Sequence, residues 1–465
     1  MEMTRVLPLL LAGTVALSGC FFEEDDPSKS YVRVIHASSD APPVDVRLGR
    51  SFEREGLDYK QAVRFIPNAG TAQLSINADL PGSARETILT SSYSFRQDTR
   101  YDFIAAGRVA DGSIKPILLA DNEELEIGAS VRLRVVHLSP DAQAVSRNVD
   151  IYLSEVDDDD WLAAGPAFRL GLQDVEGPTQ VSGGQYKIRV ARAGTADVVF
   201  ESRGLSLPEG SDLLIAAVDN TAVSNSAGSA GRSPVSLMVI NDDDVSDVYD
   251  VNQRSGLRVV HGSPGAPPVD VFANDQQAVS ELAFASVAPS AERDSYATVA
   301  PGTQNVTVTV AGDRSRELIS ESLSLGTGEG KTVIAYDRPG VVKSLVLDDS
   351  VRSIASQASL RVVHGSRVAG IAGPVNIYLL PEDRTNVSSA VPILRDVPFG
   401  TESGYLAITP ENYNLFVRDA DGNVRIGPVL IGLRAGGIHT FFVTDTAAGD
   451  RALLIELDDN PAPLP

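Results

Sequence analysis

Apolar and polar positions alternate one by one through short stretches of this chain. Y-V-R-V-I-H from Tyr31, V-D-V-R-L from Val44, A-Q-L-S-I from Ala72 and T-V-T-V from Thr307 all show this pattern. A period of two places successive side chains on opposite faces of a strand and predicts half-buried β-structure. No segment keeps a 3.6-residue period over three turns, so no long amphipathic helix is expected. Turn-forming residues bound the alternating stretches, and the 39 Gly and 27 Pro fit many short strands joined by tight turns.

The alternation repeats at a larger scale. R-V-I-H-A-S-S-D-A-P-P-V-D-V begins at Arg33, R-V-V-H-L-S-P-D-A at Arg134, R-V-V-H-G-S-P-G-A-P-P-V-D-V at Arg258 and R-V-V-H-G-S-R-V-A at Arg361. The histidines of these stretches, His36, His137, His261 and His364, lie 101, 124 and 103 residues apart. Each unit continues with a Gly- or Pro-containing turn and an alternating strand, then an apolar strand near Tyr101, Leu213, Thr332 or His439. Each closes on an apolar strand that ends in acids, at Asp121, Asp242, Asp348 and Asp458. The predicted architecture is all-β, with four tandem Ig-like antiparallel β-sandwich domains at 31–122, 131–243, 256–349 and 359–460. Short polar linkers between them predict a rod or a bent chain. A Ser- and Gly-rich stretch from Thr221 reads as a mobile loop inserted before the last strand of the second unit.

Strand alternation places Val32, Val34 and His36 on one side and Arg33 and Ile35 on the other. The next strand of each unit carries Asp45, Asp150, Asp270 or Asn376 between apolar neighbours. A carboxylate in such surroundings needs a partner. The repeated Arg33, Arg134, Arg258 and Arg361 and the repeated histidines are the candidates. Asn in the fourth unit retains a hydrogen-bonding group without the charge, which favours a structural role over a metal site. Ser38 beside His36 and Asp45 also spells the residue types of a nucleophilic triad. However, no strained nucleophile turn accompanies them, and four such sites in series would be unusual. One His and no Cys per unit falls short of a zinc ligand set.

The R-V-V-H-x-S-P-x-A-P-x-V-D-V opening, its turn and its repetition resemble the bacterial domain of unknown function 4397 family. The resemblance spans nearly the whole chain after the first thirty residues. It implies an extracytoplasmic protein with domains in tandem, often behind a lipoprotein signal, and it implies no chemistry. The fourth unit departs most, with Arg367-Val368-Ala369 in place of the Pro-Asp-Ala pattern.

The amino terminus supports that address. Arg5 precedes an apolar run from Val6 to Leu17, too short for a membrane span and suited to a signal peptide over 1–20. Leu17-Ser18-Gly19-Cys20 resembles a lipobox, which makes Cys20, the one cysteine, the expected lipidation site, followed by an acidic tether over 21–30. Asp is absent directly after Cys20, which implies an outer-membrane anchor facing periplasm or exterior. With Cys20 lipidated, no intrachain disulfide can form.

The net charge of −23 disfavours nucleic acid as a partner. Acids gather at Asp157–Asp160, and Asp419 with Asp421 offers a weak calcium candidate beside a more ordinary Asp-Gly turn. Trp161, the one tryptophan, follows the first of these clusters and reads as core or as a ligand contact. The Gly-rich run Gly326–Thr332 lacks the first glycine of a phosphate loop, because Leu325 stands there. The expected function is that of a non-catalytic envelope lipoprotein contacting another envelope protein or a surface glycan. The alternative is a carbohydrate-binding or calcium-dependent adhesion module.

Overall fold

The alternating segments form strands throughout the computed structural model, which describes residues 28–122, 130–223, 233–289 and 296–459. Cys20, the signal peptide, most of the tether and most of the loop from Thr221 lie outside the described residues. In the first domain β1 (Tyr31–His36), β4 (Gln61–Phe65), β7 (Arg100–Ala106) and β8 (Lys115–Asp121) form one sheet, in the order β4-β1-β7-β8. β2 (Val44–Leu48), β3 (Phe52–Leu57), β5 (Gly70–Leu80) and β6 (Ala84–Phe95) form the other, in the order β3-β2-β5-β6. The same pair of sheets returns in each later domain, giving eight sheets among the described residues. The second domain extends past the expected boundary, because Asp244–Val248 adds a fifth strand beside Val235–Asn241.

One expectation is corrected. The sheets are not purely antiparallel: β1 runs parallel to β7, with Arg33 opposite Asp102 and Ile35 opposite Ile104. The equivalent strands pair in parallel in the other three domains. A parallel pair cannot be joined by a hairpin, so the chain must cross to the second sheet and return. The Pro42-Pro43 and Pro267-Pro268 segments begin that crossing.

Val32 and Val34 face the first domain's own core, with Val46, Leu74 and Phe103. Ile35 faces the other way and is also fully buried. It packs with Ile104 against Val136, Leu214, Met238 and Ile240 of the second domain. Domains 3 and 4 repeat the arrangement, with Val260, Ile334 and Leu347 against Val363, Phe442 and Leu457. Each R-V-V-H sheet is therefore covered on both faces, which accounts for the unbroken V-V where a half-exposed strand would alternate. Face-to-face pairing of domains, 1 with 2 and 3 with 4, replaces the expected rod.

The pairs also touch. Arg352, in the linker between domains 3 and 4, donates from Nη1 to the Ala41 carbonyl at 2.9 Å and pairs with Asp58. Ala355 N–H donates to the Asp40 carbonyl at 2.8 Å, and Val223 N–H to the Gly328 carbonyl at 3.0 Å. The domain pair is the larger repeat. Domains 1 and 3 join their second and third strands by short turns, Leu48 to Phe52 and Ala273 to Gln276. Domains 2 and 4 insert long loops there, between Glu155 and Phe168 and between Pro381 and Leu394.

The variable residue after each histidine follows from the junction. Phe442 lies fully buried between domains 3 and 4, and a Cβ on Gly262 or Gly365 would collide with its ring. In the other pair Ala216 occupies the register position of Phe442, and the residues after His36 and His137 are Ala37 and Leu138. Gly262→Ala is expected to lower the stability of the 3–4 pair by about 1–3 kcal/mol through overpacking. A second change, Phe442→Leu, should recover much of that loss in thermal melts; an unaltered melt for Gly262→Ala would contradict this packing.

Candidate functional site

The repeated arginines point away from their own cores and into the domain junctions. Between domains 3 and 4, the side chains of Arg258 and Arg361 are 2% and 1% exposed, and those of Asp349 and Asp459 are wholly buried. Arg258 pairs with Asp459 of domain 4, and Arg361 pairs with Asp349 of domain 3. The Nε of Arg258 donates to Thr332 Oγ1 at 2.9 Å, and the Nε of Arg361 to Thr440 Oγ1 at 3.0 Å. Those hydroxyls in turn donate to Asp349 and Asp459. Tyr296 and Tyr405 cover the two guanidinium groups, with ring centres 4.9 and 4.4 Å from the Cζ atoms. The arrangement is reciprocal: each domain gives an arginine and receives one. Burial raises the Asp349 carboxyl, and the guanidinium groups of Arg258 and Arg361 oppose that shift.

The first junction uses the same device with less symmetry. Arg33 grips Asp102 of its own domain, Nε to Oδ1 at 2.8 Å, and donates from Nη1 to the Asp242 carbonyl of domain 2. Arg134 lies 3.1 Å from Asp212 of its own domain, and 3.5 and 3.6 Å from Asp121 and Asp102 of domain 1. Arg132 also reaches Asp121. The acids that end the closing strands are thus receptors for the arginines of the neighbouring domain.

The expected partnership of these arginines and histidines with Asp45, Asp150, Asp270 and Asn376 is not formed. Those residues lie on the outer sheets and mostly bind backbone. Asp45 Oδ1 accepts from Gly56 N–H at 3.0 Å, Asp270 Oδ1 from Glu281 N–H at 2.9 Å and Asn376 Oδ1 from Asp396 N–H at 3.1 Å. All three donors have φ between 52° and 62°, and in each case the strand pairing shifts register there. The side chain therefore caps a β-bulge. Asp150 faces a regular edge strand and pairs instead with Arg169, while accepting from Gly194 N–H at 2.7 Å. Asp45 is also 2.7 Å from Arg85.

His36, His261 and the four serines hold the point where the first strand leaves its sheet, whereas Nε2 of His137 and both ring nitrogens of His364 are buried without a hydrogen-bond partner among the described residues. His36 Nε2 lies 3.1 Å from the Pro42 carbonyl, and His261 Nε2 lies 3.0 Å from that of Pro267. Ser38 Oγ donates to the Gly107 carbonyl at 2.8 Å and Ser139 Oγ to Asp219 Oδ1 at 2.7 Å, while Ser263 and Ser366 bind Asp337 and Asp445. Each serine thereby ties its strand to the end of the parallel neighbour. His36, Ser38 and Asp45 do not assemble into a relay, because each is directed to a different backbone group. Among the described residues, no cluster of three or more His, Cys, Asp or Glu is placed to hold a metal ion.

Asp419 is wholly buried in its hairpin turn, where it accepts from Asn423 N–H at 2.8 Å and pairs with Arg425 at 2.6 Å. A guanidinium already occupies the place of a cation, and Asp421 points to solvent. Trp161 sits outside the sandwich core. Its ring meets Tyr152 edge-on at 4.8 Å, and the Arg189 guanidinium lies 4.8 Å from its centre. The indole pins the long loop of domain 2 to the outer sheet. The Gly326–Thr332 run is a turn closed by Gly326 N–H to Glu329 Oε2 at 2.7 Å, followed by a strand.

Burial holds the His137 and His364 imidazoles down at about 4, against 6.5 for the free side chain. Between those values the unfolded chain binds more protons than the folded one. Stability is then complete above pH 6.5 and lost as pH falls towards 4, by up to about 3 kcal/mol per histidine at about 1.4 kcal/mol per unit. The urea midpoint should fall from pH 7 to pH 5, and His364→Leu should flatten that fall; an unchanged slope would contradict the account. Asp270→Ala should cost about 1–3 kcal/mol by freeing two backbone donors, Glu281 N–H and Gly312 N–H, and an unaltered melting temperature would refute the bulge cap.

Comparison with known proteins adds a family and no chemistry. The model of the domain of unknown function DUF4397 matches residues 30–152 and 255–378. Each match opens at the first strand of an odd-numbered domain and runs into the second strand of the next. No curated protein matches the sequence. Among solved structures, the Bacillus anthracis TIE protein is 10% identical, with 90% of this chain and 68% of that one covered at a TM-score of 0.15. The tip fimbrial protein Mfa3 from Porphyromonas gingivalis, truncated at its carboxyl terminus, is 12% identical, with 69% and 100% covered at a TM-score of 0.11. Overlaps that poor carry no argument about function. The family matches cover more than half of the residues, and the chain belongs to the DUF4397 family.

Proposed function

We propose that this chain is a non-catalytic lipoprotein of the bacterial envelope, whose Ig-like sandwiches present surfaces to another envelope protein. One observation carries the reading: the repeated arginines, serines and Asp or Asn side chains are occupied in holding strands and domains together. The arginines cross the junctions, the serines tie parallel strands, and the Asp and Asn side chains cap bulges or edges. A reacting group needs a free nucleophile or base near substrate, and the repeat is built in the opposite sense. Surfaces for partners remain on the outer sheets and on strands that end a sheet, such as Lys115–Asp121 and Lys343–Asp349.

The anchor belongs to the same proposal. Leu17-Ser18-Gly19-Cys20 is the site where a diacylglycerol would be attached, and the residues after it favour the outer membrane. Metabolic labelling with an alkyne fatty acid should mark the wild-type protein and leave Cys20→Ser unmarked and released from membranes. A Cys20→Ser protein that stays membrane-bound would contradict the anchor. Crosslinking in the native envelope should then capture a defined protein. Recovery of peptidoglycan or surface polysaccharide alone would overturn the protein-contact reading in favour of glycan binding.

A further inference from the structure

The two domain pairs close one end of their junction differently. In the first pair Arg108 follows β7 and reaches across to domain 2. Its Nη2 lies 2.8 Å from Asp219 and 2.6 Å from Asp141, and Ser39 donates to the same Asp219 carboxylate at 2.7 Å. In the second pair Arg338 follows the equivalent strand, Gly330–Tyr336, and Asp445 ends the strand equivalent to that of Asp219. The crossing pair is not made. Asp445 is held within its own domain by Ser366 Oγ, Arg367 N–H and Val368 N–H. The Arg338 guanidinium is exposed and has no partner among the described residues.

Between them lies a cleft of about 500 Å³, lined by Pro264 and Arg338 of domain 3 and by Arg367, Val368, Ile371 and Ala448 of domain 4. Its size falls within the range of small-molecule sites, roughly 300–1,000 Å³. Ile371 lies at the rim of the cleft and is 73% exposed. Arg367 is fixed by Asp337, which accepts from its Nε and from its Nη2, the latter at 2.6 Å. Asp337 and Asp445 also line the cleft; Asp337 is neutralised by Arg367, and Asp445 keeps its charge but is turned to Ser366 and two backbone N–H groups, so the guanidinium donors left unpaired at the mouth, among the described residues, are those of Arg338.

We propose that this cleft binds a small amphiphilic carboxylate, with its anion on Arg338 and its apolar body against Ile371, Val368 and Ala448. A guanidinium presents a planar fork that matches a carboxylate. The first pair carries no such site, because Arg108 is already occupied by Asp219 and Asp141.

Hexanoate is the probe, titrated calorimetrically into the full chain, with hexanol as its uncharged counterpart. Hexanoate should bind, hexanol should bind much more weakly, and Arg338→Gln should weaken hexanoate about tenfold or more. Ile371→Ser should also weaken it, while Arg108→Gln should leave it unchanged. No detectable hexanoate binding, equal binding of hexanol, or binding unaffected by Arg338→Gln would each overturn the proposal. Arg338 is exposed and unpaired, so its variant tests the site without disturbing the fold.

Discussion

Two arginines and two aspartates, removed from water between domains 3 and 4, set the terms for the rest of the molecule. A charge in such a place costs several kcal/mol unless an opposite charge and hydrogen bonds surround it. Neither domain supplies the whole set: Arg258 needs Asp459 and Arg361 needs Asp349, each from across the junction. Separating the domains would leave four ions to be rehydrated and two apolar sheet faces exposed. The apolar contacts of Val260, Ile334, Val363 and Phe442 drive the association. The ion pairs select its register, since a slip of one strand position would place guanidinium groups against Val or Leu. The network therefore acts more as a device for specificity than as a source of net stability.

This constraint accounts for features that a single sandwich leaves unexplained. The R-V-V-H strand is buried on both faces because one face closes its own core and the other closes the pair. The closing strands end in acids because the neighbour's arginines arrive there. The family model matches at the start of each pair and continues into the second member, in keeping with the pair as the unit that recurs. Differences between the pairs are informative for the same reason. The first uses Asp102, Asp121 and Asp212 around Arg132 and Arg134, a less symmetric version of the same solution. At the far end of the junction, Arg108 bridges the first pair to Asp219, whereas in the second pair Arg367 bridges to Asp337 and Arg338 is left without a partner among the described residues.

The β-class, the number of units and the inward face of the first strand were legible in the sequence, because alternation and repetition are local signals. The side on which Arg33 stands was legible too; its destination was not. Strand periodicity says which face a residue occupies and nothing about a second domain against that face. The clue lay in the residue types: each unit has an arginine in mid-strand among apolar neighbours (two in the second, Arg132 and Arg134) and acids at a strand end, and such an arginine must find an anion. Asp45, Asp270 and Asn376 stood out as polar groups in need of a partner, but their partners are backbone N–H groups of bulges, which leave no residue-type signature. The parallel pairing was hidden for a related reason, since a strand's partners are set by a crossing whose path no periodicity encodes. Trp161 and Asp419 were each open between a core or turn role and a ligand role, and the contacts they make, with Arg189 and with Arg425, come from positions that no local pattern singles out.

The central claim is that domains 3 and 4 form one unit through reciprocal charge pairing. A double-mutant cycle tests it most directly, with Arg258→Met, Asp459→Asn and the combination compared in the full chain by urea unfolding of that pair. Either single change strands a buried charge and should be costly, about 3–5 kcal/mol. The double variant should cost far less than the sum, with a coupling of well over 1 kcal/mol. Effects that add to within about 0.5 kcal/mol would show the two residues to be energetically independent and would contradict the account.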